Sequence, residues 1–429
     1  MNILVLAYQL SPFRGSEYSV AWNYVQSMSE KHHLTVIYGV NEEHMGDFIP
    51  EEVLKKELIY PDHVTFVPVA PGWIANIINY PNRKNFFRPA YYPAYALWHK
   101  KVYRTVKKLL DQNSYDLIHY LGPIGYRQPG HLWKFDIPYI WGPISGLTFV
   151  DQFFFSTMSW RGRITYKIHN LLNKLQQKYS KRICNAVKRA DVLLAATTEC
   201  QKIIKDKWDV DAQWLPENGI ADITSASLTR RNFASAEIDL IWCGRVDAGK
   251  QLIILLMSLV TLKKRNVNVK LHVVGDGVLV PGMKQFADRN GISDMIVWHG
   301  KVARCEAMDI FSNSHIHVIT SCREGNPTVI LEALANGVPT ITFDHCGMHD
   351  TITDECGIKI PVPENGHLPV AVDGFSDAIE KLASDRELLK KLSFGALKRA
   401  EYFLMSERQD FFEKQYRAAV EIFNTKKNN

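Results

Sequence analysis

A chain of 429 residues, 46% of them apolar and 22% charged, is too long for one compact core and suits two globular domains of roughly 200 residues each. No apolar run approaches the ~20 residues that cross a bilayer, which excludes a membrane-spanning protein, and MNILVLAYQL reads as a first strand rather than an export signal. Seven cysteines with no C-x-x-C spacing point to reduced thiols in a cytoplasmic protein and to no metal site built on them.

The net charge of +6 is unevenly placed: up to Glu217 there are 26 Lys and Arg against 19 Asp and Glu, and beyond it 25 against 26. Two stretches of the first half, Arg83 to Leu110 and Gln152 to Ala190, hold no acid and mix cations with aromatics such as Phe86, Phe87, Tyr92, Trp98 and Trp160. That mixture suits the headgroup layer of an anionic membrane, or an anionic polymer. The plain alternative is solvated helix faces with the aromatics turned into the core.

In chain order, ILVLAY (3 to 8) is a first strand and Ser16 to Glu30 has helical spacing. The loop QLSPFRGSE between them makes a βα turn in which Gly15 is free to approach a ligand and Ser16 is placed to cap the helix. It contains no G-x-G-x-x-G, so a nicotinamide fingerprint is absent. Short β-branched runs follow at 34 to 40, 63 to 69, 115 to 122, 137 to 143 and 191 to 197, with helical stretches between them. This alternation predicts a parallel, doubly wound α/β sheet.

The pattern restarts after Glu217. Strands are predicted at 238 to 244, 269 to 275, 295 to 300, 316 to 321 and 339 to 343, with helices near 250 to 264, 281 to 290, 304 to 313, 328 to 335 and 375 to 396, and a last amphipathic helix at 407 to 424. We therefore divide the chain into a first domain, 1–216, joined by residues 407–429 crossing back onto it, and a second domain, 217–406.

Three loops of the second half carry chemistry. Cys243 to Lys250 closes a strand, so Arg245 and Lys250 project from the same carboxyl edge, where a diphosphate would sit. Gly275-Asp276-Gly277 closes the next strand as a tight turn, and Trp298 to Val302 closes the third. The longest motif is SCREGNPTVILEALANGVP, Ser321 to Pro339. Gly325 and Asn326 allow a sharp turn, Pro327 suits the first helical position, and the first turn leaves N–H groups that can bind a phosphate or sugar oxygen. Glu332 lies mid-helix among apolar neighbours. Such an acid is solvated at an edge, paired, or bound to something; a buried amphipathic helix with one stray acid is the plain alternative.

The order of these motifs resembles family 4 glycosyltransferases. The resemblance covers about residues 217 to 400: G-R-x-x-x-x-K at Gly244, Arg245 and Lys250; G-D-G at 275 to 277; H-G at 299 to 300; and E-G-x-P-x-x-x-x-E-A-x-x-x-G-x-P from Glu324 to Pro339. It implies a GT-B architecture, two Rossmann-like domains facing across a cleft. It also implies transfer of a sugar from a nucleotide sugar, with retention and without a metal ion or other cofactor. Arg245 and Lys250 would neutralise the diphosphate, Thr328 and Val329 would hold phosphate oxygens through backbone N–H groups, and Glu332 would accept the ribose hydroxyls. Gly325, Asn326 and Pro327 would border the donor sugar, Glu324 would face it as anchor and charge stabiliser, and Gly15, Gly244, Gly275 and Val302 would line the donor. His119 and Ser16 are the candidates for contact with sugar or acceptor. The family's D-x-x-H-x-H is reduced here to Asp116 and His119, and Asp344 to Asp350 departs from its G-G-x-x-E loop, leaving His345 and Asp350 as minor candidates.

The expected partners are a nucleotide sugar, a glycan or lipid-linked acceptor of cell-surface polysaccharide synthesis, and an anionic membrane surface on the cytoplasmic side, with no nucleic acid. The alternatives are a nucleotide-sugar epimerase on the same fold, or a non-catalytic membrane- or polymer-binding protein.

Overall fold

The computed structural model describes residues 1–14, 17–40, 49–84, 86–220, 222–223, 231–364 and 367–428. It separates into two units. The first comprises Met1–Leu147, Lys174–Gly219 and Met405–Asn429, and the second Thr148–Asn173 and Ile220–Leu404. The division at 216 and 217 places residues 148–173 in the first domain, whereas these residues pack with the second unit. Phe153, Phe154 and Met158 are buried there among Trp242, Leu252 and Phe343, so their apolar side chains decide the membership.

Unit one is built on seven parallel strands: β1 (Asn2–Ala7), β2 (His33–Gly39), β3 (Val64–Val69), β4 (Leu117–Gly122), β5 (Tyr139–Ile144), β6 (Val192–Ala195) and β7 (Gln213–Trp214). Their spatial order is β3-β2-β1-β4-β5-β6-β7. Both faces of β1 are buried, Leu4 and Leu6 in one cluster and Ile3, Val5 and Ala7 in another. This is why the run is continuously apolar rather than alternating. The closing helix, Met405–Asn428, adds Phe412, Tyr416 and Ala419 to the second of these clusters.

Unit two has six parallel strands: β8 (Ile238–Cys243), β9 (Val269–Val274), β10 (Ile296–Gly300), β11 (Ile316–Ile319), β12 (Thr340–Phe343) and β13 (Gly357–Ile360). They lie in the order β10-β9-β8-β11-β12-β13. The chain therefore winds outward from β8 and then returns to β8's other side with β11, paired through Ile316 and Leu240. The loops after β8 and β11 thus flank the switch point, where ligands of such sheets collect.

Four readings differ from the sequence expectation. The helix expected at 375 to 396 is two, Leu368–Ser384 and Arg386–Glu401. The Asp385 carboxylate accepts the Leu388 N–H at 2.9 Å and starts the second, a cap hidden within a continuous apolar period. Strands β7 and β13, two and four residues long, are too short to show periodicity. Pro327 is the N-cap residue, not the first helical one, of helix Thr328–Ala335.

Glycines let neighbouring loops of unit two touch. Gly275, at φ 129°, has its backbone against the Gly244 carbonyl, so a Cβ added there would collide with it. Gly282, in helix Val280–Arg289, has open space around its Cα. Gly275→Ala is therefore expected to destabilise unit two by roughly 3 kcal/mol or more, and Gly282→Ala to be neutral or stabilising by up to ~1 kcal/mol. Thermal unfolding of the two variants checks the opposite signs.

Candidate active site

The loop after β8 is organised by Asp247. Its Oδ1 accepts the N–H groups of Gly249 at 2.9 Å and Lys250 at 3.2 Å, and its Oδ2 pairs with the Arg245 guanidinium. Arg245 is otherwise solvent-facing. The loop after β11 is tied to its backbone twice: the Thr320 hydroxyl donates to the Lys250 carbonyl at 2.9 Å, and the Cys322 N–H to the Gly249 carbonyl at 2.8 Å. Across this seam the Lys250 ammonium meets the Glu324 carboxylate directly, both largely shielded from solvent. Residues 74 positions apart in sequence thus form one polar centre at the switch point.

The rest of the Ser321 to Pro339 motif continues from that centre. Gly347 donates its N–H to the Glu324 carbonyl at 3.1 Å, and a side chain at 347 would strike the Gly325 carbonyl. Asn326 is buried, with its amide on the Thr351 hydroxyl at 3.3 Å. Helix Thr328–Ala335 then begins without a side-chain cap; the Ile330 N–H bonds the Pro327 carbonyl at 3.0 Å, and those of Thr328 and Val329 come too early in the helix for an intrahelical acceptor. Ile330, Leu331, Ala333 and Leu334 are buried on it. Glu332 is largely buried, its carboxyl pushed up by desolvation and drawn back by Arg304, whose guanidinium lies at 3.4 Å. An acid held this way is partly paired but retains capacity to accept hydroxyl hydrogen bonds.

Gly244 and Gly275 adjoin one another behind the first loop, a structural use of both glycines. Val302 is half-buried beside Val274 and Val338. Gly15 and Ser16 lie outside the described residues. His345 donates its Nε2–H to the Ser321 carbonyl at 3.1 Å and stacks on Phe154, so it anchors the motif loop. The Asp350 carbonyl accepts from Arg399 at 2.7 Å. Sequence reading missed Asp247, Thr320 and Arg304, which orient the named residues. Only Asp247, between Arg245 and Lys250, gave a local signal; the others meet the site through the fold. Among the described residues no group of three or more His, Cys, Asp or Glu is arranged to hold a metal ion.

A family model of group 1 glycosyl transferases matches residues 228–399, the span of the motifs just described. Protein CapJ of Staphylococcus aureus is 26% identical over 263 residues, 60% of this chain and 62% of that protein. Lipopolysaccharide 1,6-galactosyltransferase of Escherichia coli K12 is 34% identical over 120 residues, 27% of this chain and 31% of that protein. The match thus spans less than two thirds of either relative. HepE of Anabaena, solved in complex with UDP and glucose, shares the fold at TM-score 0.60 and 14% identity, over 96% of this chain and 98% of that one. The fold is GT-B, and the family match falls within its motif-bearing second unit. Residues 228–399, less than half of the chain, thus match the group 1 glycosyl transferases, the family-4-like motifs lying within that span.

His119 is not presented to a ligand. It is fully buried on β4, Nδ1 at 3.2 Å from the hydroxyls of both Tyr24 and Tyr416, and Nε2 on the Gly142 carbonyl at 2.9 Å. Its role is to satisfy a polar knot in the core, and the sugar contact expected of it is corrected accordingly. Burial lowers its pKa to about 4. The ordinary value of ~6.5 holds in the unfolded chain, which therefore takes up the proton first as pH falls. Stability from this group is intact above pH ~6.5 and is lost between there and pH ~4, by about 3 kcal/mol. His119→Gln should flatten that part of the stability profile, measured by urea unfolding from pH 7 to 4.

Proposed function

We propose that the chain is a retaining glycosyltransferase that moves a sugar from a nucleotide sugar to a glycan or lipid-linked acceptor in cell-surface polysaccharide synthesis. The observation that carries this reading is the meeting of Arg245, Lys250, Glu324 and the start of helix Thr328–Ala335 around one switch point. Cations and helix N–H groups there face the place where negative charge grows as the bond between anomeric carbon and phosphate oxygen breaks. The N–H groups of Thr328 and Val329 would take phosphate oxygens, and Gly325, Asn326 and Pro327 would shape the floor under the sugar. Glu324 anchors a sugar hydroxyl and balances the developing positive charge at carbon. The acceptor oxygen bonds to that carbon on the face the phosphate leaves, and its proton passes to the departing phosphate. Glu332 takes the ribose hydroxyls, which adds donors to a buried carboxylate already partly paired with Arg304.

In this reading Arg245 and Lys250 do the charge neutralisation that a metal ion does elsewhere. HepE's complex with UDP and glucose makes UDP-sugars the first donors to test. Against a panel of nucleotide sugars, at least one is expected to raise the unfolding temperature and to be transferred or hydrolysed in the presence of EDTA. Glu332→Ala should weaken that binding ~10-fold or more, and Lys250→Ala should slow turnover ~100-fold. Loss of all activity on chelation would remove the metal-free part of the proposal, and indifference of the whole panel to wild type and Glu332→Ala alike would remove the donor site. Product analysis without acceptor separates transfer from epimerisation.

We further propose that the protein works at the cytoplasmic face of an anionic membrane. No described helix is long and apolar enough to cross a membrane. The acid-free stretches are divided between core and surface: Tyr95, Trp98, Phe153 and Phe154 are buried, whereas Phe86 is 86% exposed. Helix Trp73–Arg83 turns Trp73 (73%), Ile77 (63%) and Tyr80 (53%) outward while Asn79 is fully buried, the reverse of a solvated helix. Helix Trp160–Tyr179 likewise exposes Trp160, Ile164, Ile168 and Leu171 beside Arg161, Arg163 and Lys167. Such surfaces suit the headgroup layer. The protein is expected to pellet with phosphatidylglycerol vesicles at low salt and to be released by ~0.5 M salt as charges are screened. Trp73→Ser with Ile77→Ser should reduce the bound fraction severalfold; equal binding to neutral vesicles would count against a charge-guided surface.

A further inference from the structure

The segment Thr148–Asn173 is folded onto unit two, and its contacts fall on the two motif loops. The Thr157 hydroxyl donates to the Gln251 side chain, whose amide donates to the Ala248 carbonyl at 2.8 Å and the Phe154 carbonyl at 3.4 Å. The Tyr166 hydroxyl lies so close over Gly249 that a Cβ there would collide with it. On the second loop, Arg323 Nη1 donates to His169 Nε2 at 2.6 Å. Arg323 stands between Cys322, which is bonded to Gly249, and Glu324, which is paired with Lys250.

The choice of partner is informative. A guanidinium gains most from a carboxylate, usually in a forked pair, yet the partner that fixes this one is an imidazole. An imidazole nitrogen that accepts a hydrogen bond has no proton of its own, so the ring is uncharged. It fixes the direction of the guanidinium without cancelling its charge. A carboxylate at 169 would hold Arg323 more firmly and remove the positive field.

We propose that His169 is a positioning residue that holds Arg323 as a third cation, beside Arg245 and Lys250, for the diphosphate of the donor. The proposal rests on the donor site described above. It adds a residue from a distant part of the chain, and it states why that residue is a neutral acceptor.

The test uses the full-length protein and whichever of UDP, GDP, ADP and CDP the wild type binds most tightly. Titration calorimetry should show His169→Ala weakening binding ~10-fold, and His169→Gln, which keeps an acceptor, recovering to within ~3-fold of wild type. His169→Asp should weaken binding at least as much as His169→Ala although its unfolding temperature is equal to or above wild type. Arg323→Gln should match His169→Ala, and the double variant should lose no more than either alone, because both act through one group. If His169→Asp binds as wild type does, or the single losses add, the proposal is overturned while the donor site stands. If the wild type binds none of the four, the donor reading itself fails. Should His169→Ala unfold, Arg323→Gln and the lowered salt dependence of its binding decide the matter.

Discussion

The contact between Lys250 and Glu324 is the constraint on which unit two is arranged. An ion pair sheltered from solvent costs desolvation on both sides and is worth having only if its geometry is fixed and its remaining polar atoms are served. Here the geometry is fixed from the backbone. Asp247 takes the N–H of Lys250, Thr320 takes its carbonyl, and Cys322 bonds Gly249. The loops can come this close because β8 and β11 are neighbours across the reversal of strand order, and because Gly275, Gly277 and Gly347 leave room for carbonyls where a side chain would stand. Topology brings the loops together, glycine lets them touch, and the ion pair closes the seam.

The same constraint explains how charge is handled around it. Glu332 is desolvated and its carboxyl raised, with the solvent-facing Arg304 as counter-charge. Because Glu332 itself is desolvated, Arg304 can withdraw at small cost only where other donors replace it on the carboxylate. Lys250 and Glu324 are more shielded, and their opposite charges offset one another. A diphosphate arriving at this edge would shift that balance, drawing Lys250 toward phosphate and leaving Glu324 to a sugar hydroxyl. The pair therefore suits a site that keeps two opposite charges matched to each other until other groups take them over.

Much of this was legible in the sequence because its signals are local. The strand cores are apolar runs, helix 328–335 was bounded by residues that start and stop helices, and the G-R-x-x-x-x-K and E-G-x-P motifs each lie within one loop. What could not be read is held in pairings between distant segments. Asp385 starts a new helix inside a run of unbroken helical spacing. His119 has the composition of a ligand contact, yet only the packing of Tyr24 and Tyr416 against it shows a satisfied core group. Residues 148–173 are basic and aromatic like the stretch before them, and nothing in their pattern tells that Phe153 and Phe154 are buried with β8 and β12 rather than with β5.

That reassignment changes what the charge distribution means. By units rather than by halves, the first has 28 Lys and Arg against 22 Asp and Glu, and the second 23 against 23. The entire surplus of six positive charges lies in unit one, the unit with the reversed helix Trp73–Arg83. Unit two is neutral overall, so it has no general field with which to attract a diphosphate. Whatever attraction its switch point exerts comes from placement alone: Arg245 turned to solvent, Lys250 on the seam, and Arg323 fixed by a neutral ring. A net field acts over a Debye length and fades with salt, whereas cations placed at the contact distance of a phosphate are screened far less. On the proposed reading, long-range attraction falls to unit one and short-range recognition of the diphosphate to the cations placed in unit two.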